Sequence, residues 1–467
     1  MLTLYTPATG FPDLEIKIAY GLARVAIETF GGEKVTIKDE GGFYKIKIDI
    51  EEFDFNTLNK TFNFLCKRLL ASIFIPFNTP GITSRSAESI SVSEEEAFSL
   101  NIYKSIITLA ENRERENFCR HRLRKTVSNV LGFTAAATTG VLCKRDGVDI
   151  TFYRGQPRRP TNPRDICKTC GLLALLGIWY ASFIFNISDR EVIIIPVPKE
   201  EISGNRLQEV FALQHQIRKE RFNSKISQVV IPLVFLSKIP SSADILKGFD
   251  LFIAVLSRQQ GYHVDGLFLI SIENYLKFIR ETPYNIAVVE NIYRKDAYGA
   301  LQELNNAIYH KNKSALLKFA RLYVQETSPQ KGDWVSLLYP ETTKYLLKEV
   351  AMIKEEIIKN TSLLSLAKTL RYFIKERKYG YADAIRNAKR ESKDFEETIT
   401  KMLREGRLRL EQKEPIHLPT DYEIQEIFRL ANEDFESTKL ALVMLAFSFP
   451  SKPEEKDKPI NTIKNEK

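Results

Sequence analysis

The chain has 467 residues, enough for two or three domains, and its 44% hydrophobic and 27% charged content is that of a globular protein. Five cysteines, few and odd in number, exclude a secreted disulfide scaffold and fit a reducing cytoplasm. The net charge is +9, and it is concentrated: 13 Lys/Arg against 5 Asp/Glu between Arg113 and Lys168 give a local +8. Charges farther apart than a Debye length of ~8 Å act almost independently in physiological salt, so this local excess is what a polyanion would feel.

The opening MLTLYTPATGFPD has neither the charged region nor the apolar run of a signal peptide. Pro12 to Gly31 predicts an amphipathic helix with Leu14, Ile18, Leu22, Val25 and Ala26 on one stripe, stopped by Gly31-Gly32. Two strands follow, Glu33 to Lys38 and Phe43 to Ile50, joined by a turn at Glu40-Gly41-Gly42. With a first helix after them, these complete a small α/β module over 1–92. A second helix is announced by the capping box Ser93 to Glu96 and turns strongly charged from Glu111 to Lys125. Leu142 to Tyr153 reads as a hairpin turning at Arg145-Asp146-Gly147, followed by the proline-rich stretch RGQPRRPTNPRDICKTC. The uncharged run Gly171 to Ser188 is at the lower edge of membrane-spanning length and is read as a buried helix, closing a basic region over 93–190.

Residues 191–295 form a strand-rich core in this reading, with EVIIIPV, QVVIPLVFL, FDLFIAVL and GLFLI as strands and a helix near Asn205 to Glu220. From 296 to 448 the apolar period is helical throughout, and a last helix runs from the capping box Thr420 to Glu423 to near Ser448. Residues 449–467 are charged and carry no core pattern, which predicts a disordered tail. The fold class is therefore an α/β or α+β N-terminal and central part with a mostly helical C-terminal bundle.

The chain carries no Walker A sequence, no GxSxG, no GxGxxG and no HExxH. His263 and Asp265 could place two ligands on one strand face, but a polar strand end is the commoner meaning of such a pair. Asp146 and Asp149 suit a hairpin turn better than a nuclease metal site. An enzyme is not indicated.

Three sets of basic residues are the candidate nucleic-acid contacts. On the charged helix these are Arg120, Arg122, Arg124 and Lys125; Arg113, Arg120 and Arg124 fall within about 40° of one another at 100° per residue. That face continues into Val127 and Leu131, so part of it can pack against the protein. Lys144 and Arg145 sit at the hairpin tip. Arg154, Arg158, Arg159, Arg164 and Lys168 lie in the proline-rich stretch, where Pro157, Pro160 and Pro163 hold the backbone extended and lower the entropy lost on binding. Guanidinium groups suit bidentate phosphate contact.

Cys167 and Cys170 have zinc-knuckle spacing. Tetrahedral zinc needs four ligands, and Cys119, His121 or Cys143 could complete the set; two buried, unligated cysteines are the competing reading.

The segment LYTPATGFPDLEIKIAYGLARVAIETFGGEKVTIKDEGGFYKIKI resembles the start of the archaeal type I-A CRISPR large subunits, the Cas-eight family. CKTCGLLALLGIWY in a basic midsection and the helical C-terminal half fit the same family in outline. A related branch carries two CxxC pairs where this chain has one, so a family-type zinc site does not transfer. The resemblance implies a non-catalytic subunit of Cascade, the crRNA-guided surveillance complex. Its partners would be crRNA at the 5′ end, the protospacer-adjacent motif in double-stranded target DNA, other Cascade subunits and the helicase-nuclease effector, in the cytoplasm and without a membrane. The arginines above come from charge, not from the resemblance. A metal-dependent nuclease and a stand-alone DNA- or RNA-binding regulator are the alternatives.

Overall fold

The computed structural model describes residues 1–6, 12–52, 55–71, 168–187, 190–217, 226–257, 263–330 and 334–450. They divide into two compact units, Met1–Pro232 with Ile239–Leu276, and Leu233–Lys238 with Lys277–Lys467.

The chain opens with β1 (Leu2–Tyr5), α1 (Pro12–Phe30), β2 (Val35–Asp39), β3 (Tyr44–Ile48) and α2 (Phe55–Ala71). Next come α3 (Lys168–Ala181), β4 (Phe183–Ile187), β5 (Arg190–Pro198), β6 (Ile202–Ser203) and α4 (Gly204–Ile217). Then follow α5 (Ile231–Lys238), β7 (Phe249–Ser257), β8 (His263–Ser271) and α6 (Glu273–Glu281). One sheet has the order β1-β3-β2-β6 and the other β4-β5-β7-β8, and both are antiparallel between neighbours. In the first sheet β3 lies between β1 and β2, which α1 connects, so the opening is a split βαβ unit. Its hairpin turns where expected: Gly41 and Gly42 have φ of 81° and 125°, a backbone region open mainly to glycine.

One apolar core joins Leu4, Ile37, Ile46 and Ile48 of the first sheet to Ile193, Ile195, Phe252 and Ala254 of the second by way of α1 and α3. Of the stripe expected on α1, Ile18, Leu22, Val25 and Ala26 are buried, but so are Ile16, Lys17, Ala19, Tyr20 and Ala23 on its other sides, each at 1% exposure or less. A helix with layers on both sides keeps almost no wet face, and on α1 Glu28 in the last turn is the one exposed residue among those whose burial is described. α1 and α3 run antiparallel and touch backbone to backbone. A Cβ on Gly21 would lie 2.0 Å from the Leu173 carbonyl oxygen, and one on Gly177 would lie 1.9 Å from that of Lys17. Only glycine fits at either point of this crossing.

Three sequence expectations are corrected between residues 171 and 271. The apolar run from Gly171 to Ser188 is not one helix: α3 ends at Ala181 and Phe183 begins β4, where alternating β-formers pair with β5. QVVIPLVFL is helical, a 3₁₀ turn at Gln228–Val230 leading into α5. Pro232 tolerates the first turn of a helix but would interrupt a central strand ladder, so the buried apolar run resolves as helix. On β8 the register passes from Val264↔Leu256 to Gly266↔Val255, a bulge at Asp265 that breaks the alternation assumed for His263 and Asp265.

The second unit is helical: α7 (Pro283–Arg294), α8 (Tyr298–His310), α9 (Lys313–Thr327), α10 (Pro340–Tyr345, continued by a π turn at Leu346–Val350) and α11 (Glu355–Ile358). α12 (Thr361–Lys375), α13 (Gly380–Asn387), α14 (Asp394–Glu411), α15 (Asp421–Glu433) and α16 (Phe435–Ala446) complete it. The capping box forms as expected, with Thr420 and Glu423 exchanging side-chain and backbone hydrogen bonds. The single last helix is instead two. Asp434, at φ −141°, breaks the run and caps α16 by accepting from the Ser437 amide. α16 is the bundle's central helix, buried on nearly all positions, and its Leu445 carbonyl accepts a hydrogen bond from the buried Arg371.

No helix among the described residues is long and apolar enough to cross a membrane. The helix from Ser93, the hairpin at 142–153 and the tail beyond residue 450 lie outside the described residues.

Candidate nucleic-acid interface

Arg120, Arg122, Arg124, Lys125, Lys144, Arg145, Arg154, Arg158, Arg159 and Arg164 lie outside the described residues, as do Cys119, His121, Cys143 and Cys167. So do Asp146 and Asp149. Lys168 and Cys170 fall in the first turn of α3. Among the described residues no group of three or more His, Cys, Asp and Glu is arranged to hold a metal ion.

What the structure adds is the mooring of the basic stretch. Its last residue, Lys168, is the first of α3, a helix sunk into the core through Leu173, Ala174, Leu176 and Ile178. The Gly177 contact with Lys17 fixes α3 against α1 at backbone distance. The stretch is thus tied at Lys168 to a rigid element.

The outer face of the first sheet is a second candidate surface. Register places Thr3, Lys47, Thr36 and Ser203 in one row across β1, β3, β2 and β6, and Tyr5, Lys45 and Lys38 in the next. These side chains are half-buried or exposed, while Leu4, Ile37, Ile46 and Ile48 point into the core. Tyr5 meets Phe43 edge-on at 5.9 Å between centroids, and the Lys45 ammonium lies 5.8 Å from the Tyr5 ring centre. Sheets with aromatic side chains on adjacent strands receive single-stranded RNA by stacking bases on the rings.

The charge on this face is mostly matched. Lys47 donates to both carboxylate oxygens of Glu201 at 3.1 and 3.0 Å, and that bond holds the Glu201 carboxyl below its usual range. Lys38 pairs with Glu40 at 3.3 Å. Lys45 has no carboxylate partner among the described residues. The face therefore offers rings, hydroxyls and one cation, and the chain's excess positive charge lies instead in 113–168.

The YKIKI pattern of β3 already marks Lys45 and Lys47 as its polar side. Tyr5 joins them only through β1, whose pairing with β3 spans forty or more residues of chain, and a local pattern carries no such register. No protein-family model matches this chain, and no curated protein matches its sequence.

Proposed function

We propose that the chain is a non-catalytic nucleic-acid-binding subunit of a crRNA-guided antiviral surveillance complex. It contacts the crRNA 5′ end and the protospacer-adjacent-motif duplex and helps recruit the helicase-nuclease effector. The observation that carries the nucleic-acid part is the +8 held between Arg113 and Lys168 out of a total of +9. Arginines stiffened by prolines and moored to α3 supply phosphate contacts without base reading, and guide pairing then reads the target sequence. The crRNA-guided part rests on the resemblance of the opening segment and of CKTCGLLALLGIWY to the large-subunit family.

Affinity purification from the native cell with sequencing of the bound RNA tests the class: repeat-derived small RNAs are expected, and their absence beside abundant bound protein overturns it. Replacing Arg158, Arg159 and Arg164 together with Ala tests the contacts. Binding to duplex DNA or crRNA should weaken, and the slope of log K against log salt should flatten by about one unit per lost phosphate contact. A folded triple variant with unchanged affinity and slope refutes the assignment. Metal-dependent cleavage abolished by replacing one acid would favour the nuclease alternative.

A further inference from the structure

α1, α3 and α4 line an open pocket of about 350 Å³ in the first unit. One wall is a face of α4, where Gln208, Phe211, Ala212 and His215 recur at helical spacing. The opposite wall is Trp179 and Tyr180, at the end of α3. The Tyr180 and Phe211 rings are 6.1 Å apart and tilted by 57°. Arg24 of α1 lays its guanidinium 4.5 Å from the Tyr180 ring centre and 5.7 Å from that of Phe211.

The chemistry of the cavity selects its ligand. Arg24 is ion-paired to Glu28 at 2.5 Å, so its charge is already matched and the site is not built for an anion. Its Nε is buried without a hydrogen-bond partner. Gln214 is locked by donating from Nε2 to the Ser182 carbonyl at 2.9 Å. Gln208 and His215, both exposed, supply donors and acceptors at the rim. Three aromatic rings and a guanidinium plane around a small volume, with an amide and an imidazole at the edge, suit a flat, neutral, hydrogen-bonding heterocycle. The volume is at the low end for ligand pockets and suits one such ring system. The position fits as well: Trp179 is eleven residues along α3 from Lys168, about 17 Å of helix from the end of the basic stretch.

We propose that this cavity holds one unstacked nucleobase of the single strand whose phosphates the basic stretch grips. The inference rests on the nucleic-acid part of the proposed function and adds a base-binding site to it. Bases splayed from a strand are commonly held between aromatic rings and arginine planes and read along their edges.

The test uses the full chain carrying Trp334→Phe. Trp334 is 57% exposed in the second unit, and its removal leaves Trp179 as the sole tryptophan. Ala212→Phe, a change at an exposed helical position on the α4 wall, then fills the cavity without truncating the core. Three probes are titrated: adenosine, a single-stranded RNA of twelve nucleotides, and an abasic strand of the same length. Adenosine and RNA should change Trp179 emission, and the abasic strand should not. Ala212→Phe should abolish the response and weaken RNA binding about tenfold while leaving the salt slope and abasic binding unchanged. Salt-dependent RNA binding with no Trp179 response, and equal affinity in Ala212→Phe, overturns the base site and leaves the phosphate contacts standing. An adenosine response lost in Ala212→Phe, with neither strand bound, supports the pocket's ring chemistry but overturns its assignment to a gripped strand.

Discussion

The two units use glycine in opposite ways. In the first, every described residue with a left-handed backbone is a glycine: Gly31, Gly41, Gly42 and Gly248. In the second, none is, and Asp296, Lys311, Met352, Arg377 and Lys413 adopt φ between 49° and 63° at or just beyond helix ends. The first unit also places Gly21 and Gly177 where two backbones meet. A helix sealed between layers has its position dictated by steric fit, and a missing Cβ is the cheapest way to meet that demand. Outside the central α16, a bundle helix keeps a wet face, so a strained end residue there is compensated by packing elsewhere along the helix.

The largest effect should follow from breaking the sealed crossing. Gly177→Ala puts a methyl 1.9 Å from the Lys17 carbonyl oxygen, and backbone cannot yield as a flexible side chain would. The loss should reach about 3 kcal/mol, the upper end for overpacking. It is read, in the Trp334→Phe background, from the urea midpoint of the transition followed by Trp179 fluorescence. A loss below about 1 kcal/mol would mean that α1 and α3 slide apart freely and that the crossing is not tight.

The same sealing governs titration. Tyr20 is fully buried, donates to the Pro196 carbonyl, and has its phenol pushed up by that burial. In the unfolded chain it ionises near pH 10, so above that pH the unfolded state releases a proton that the native state keeps. Stability then falls with rising pH, by about 1.4 kcal/mol per unit for each such residue. Tyr20→Phe should lose about 1 kcal/mol at neutral pH with its hydrogen bond, yet fall less steeply above pH 10. The two stability curves should converge about one unit above pH 10, and parallel curves would show that the Tyr20 site takes up water and lets the phenol ionise.

The contrast also explains what could be read from sequence. The hairpin turn at Gly41-Gly42 and the Thr420 capping box follow local rules, and both stand as expected. Buried runs defeat those rules, because periodicity needs a wet face to show itself. The Gly171 run hid a helix and a strand, and QVVIPLVFL looked like a strand until Pro232 is given its weight. In the bundle the break at Asp434 was masked by helical period on both sides, since an aspartate cap is a weaker signal than a glycine stop. The arginine stretch was legible because charge is a sum over sequence. The cavity was not, because Arg24, Trp179 and Phe211 meet only through tertiary packing of three helices.

The smallest expected effect has the opposite sign and tests whether the bundle tolerates strain or needs it. α14 closes with a Schellman motif: the Lys413 amide donates to Leu410 O at 2.9 Å and the Glu414 amide to Arg409 O at 3.1 Å. Lys413 sits at the left-handed position, φ 63°, with an exposed side chain. An L-residue there costs about 1–2 kcal/mol, and glycine returns about 0.5–1 of that through the greater freedom of its unfolded chain. Lys413→Gly should therefore stabilise α14 by about 0.5–1 kcal/mol, seen as slower amide exchange over 394–411. Lys413→Ala keeps the strain and should leave exchange unchanged. Were alanine to slow exchange as much as glycine, the gain would come from the lost lysine side chain, and the difference in glycine use between the units would not be one of backbone strain.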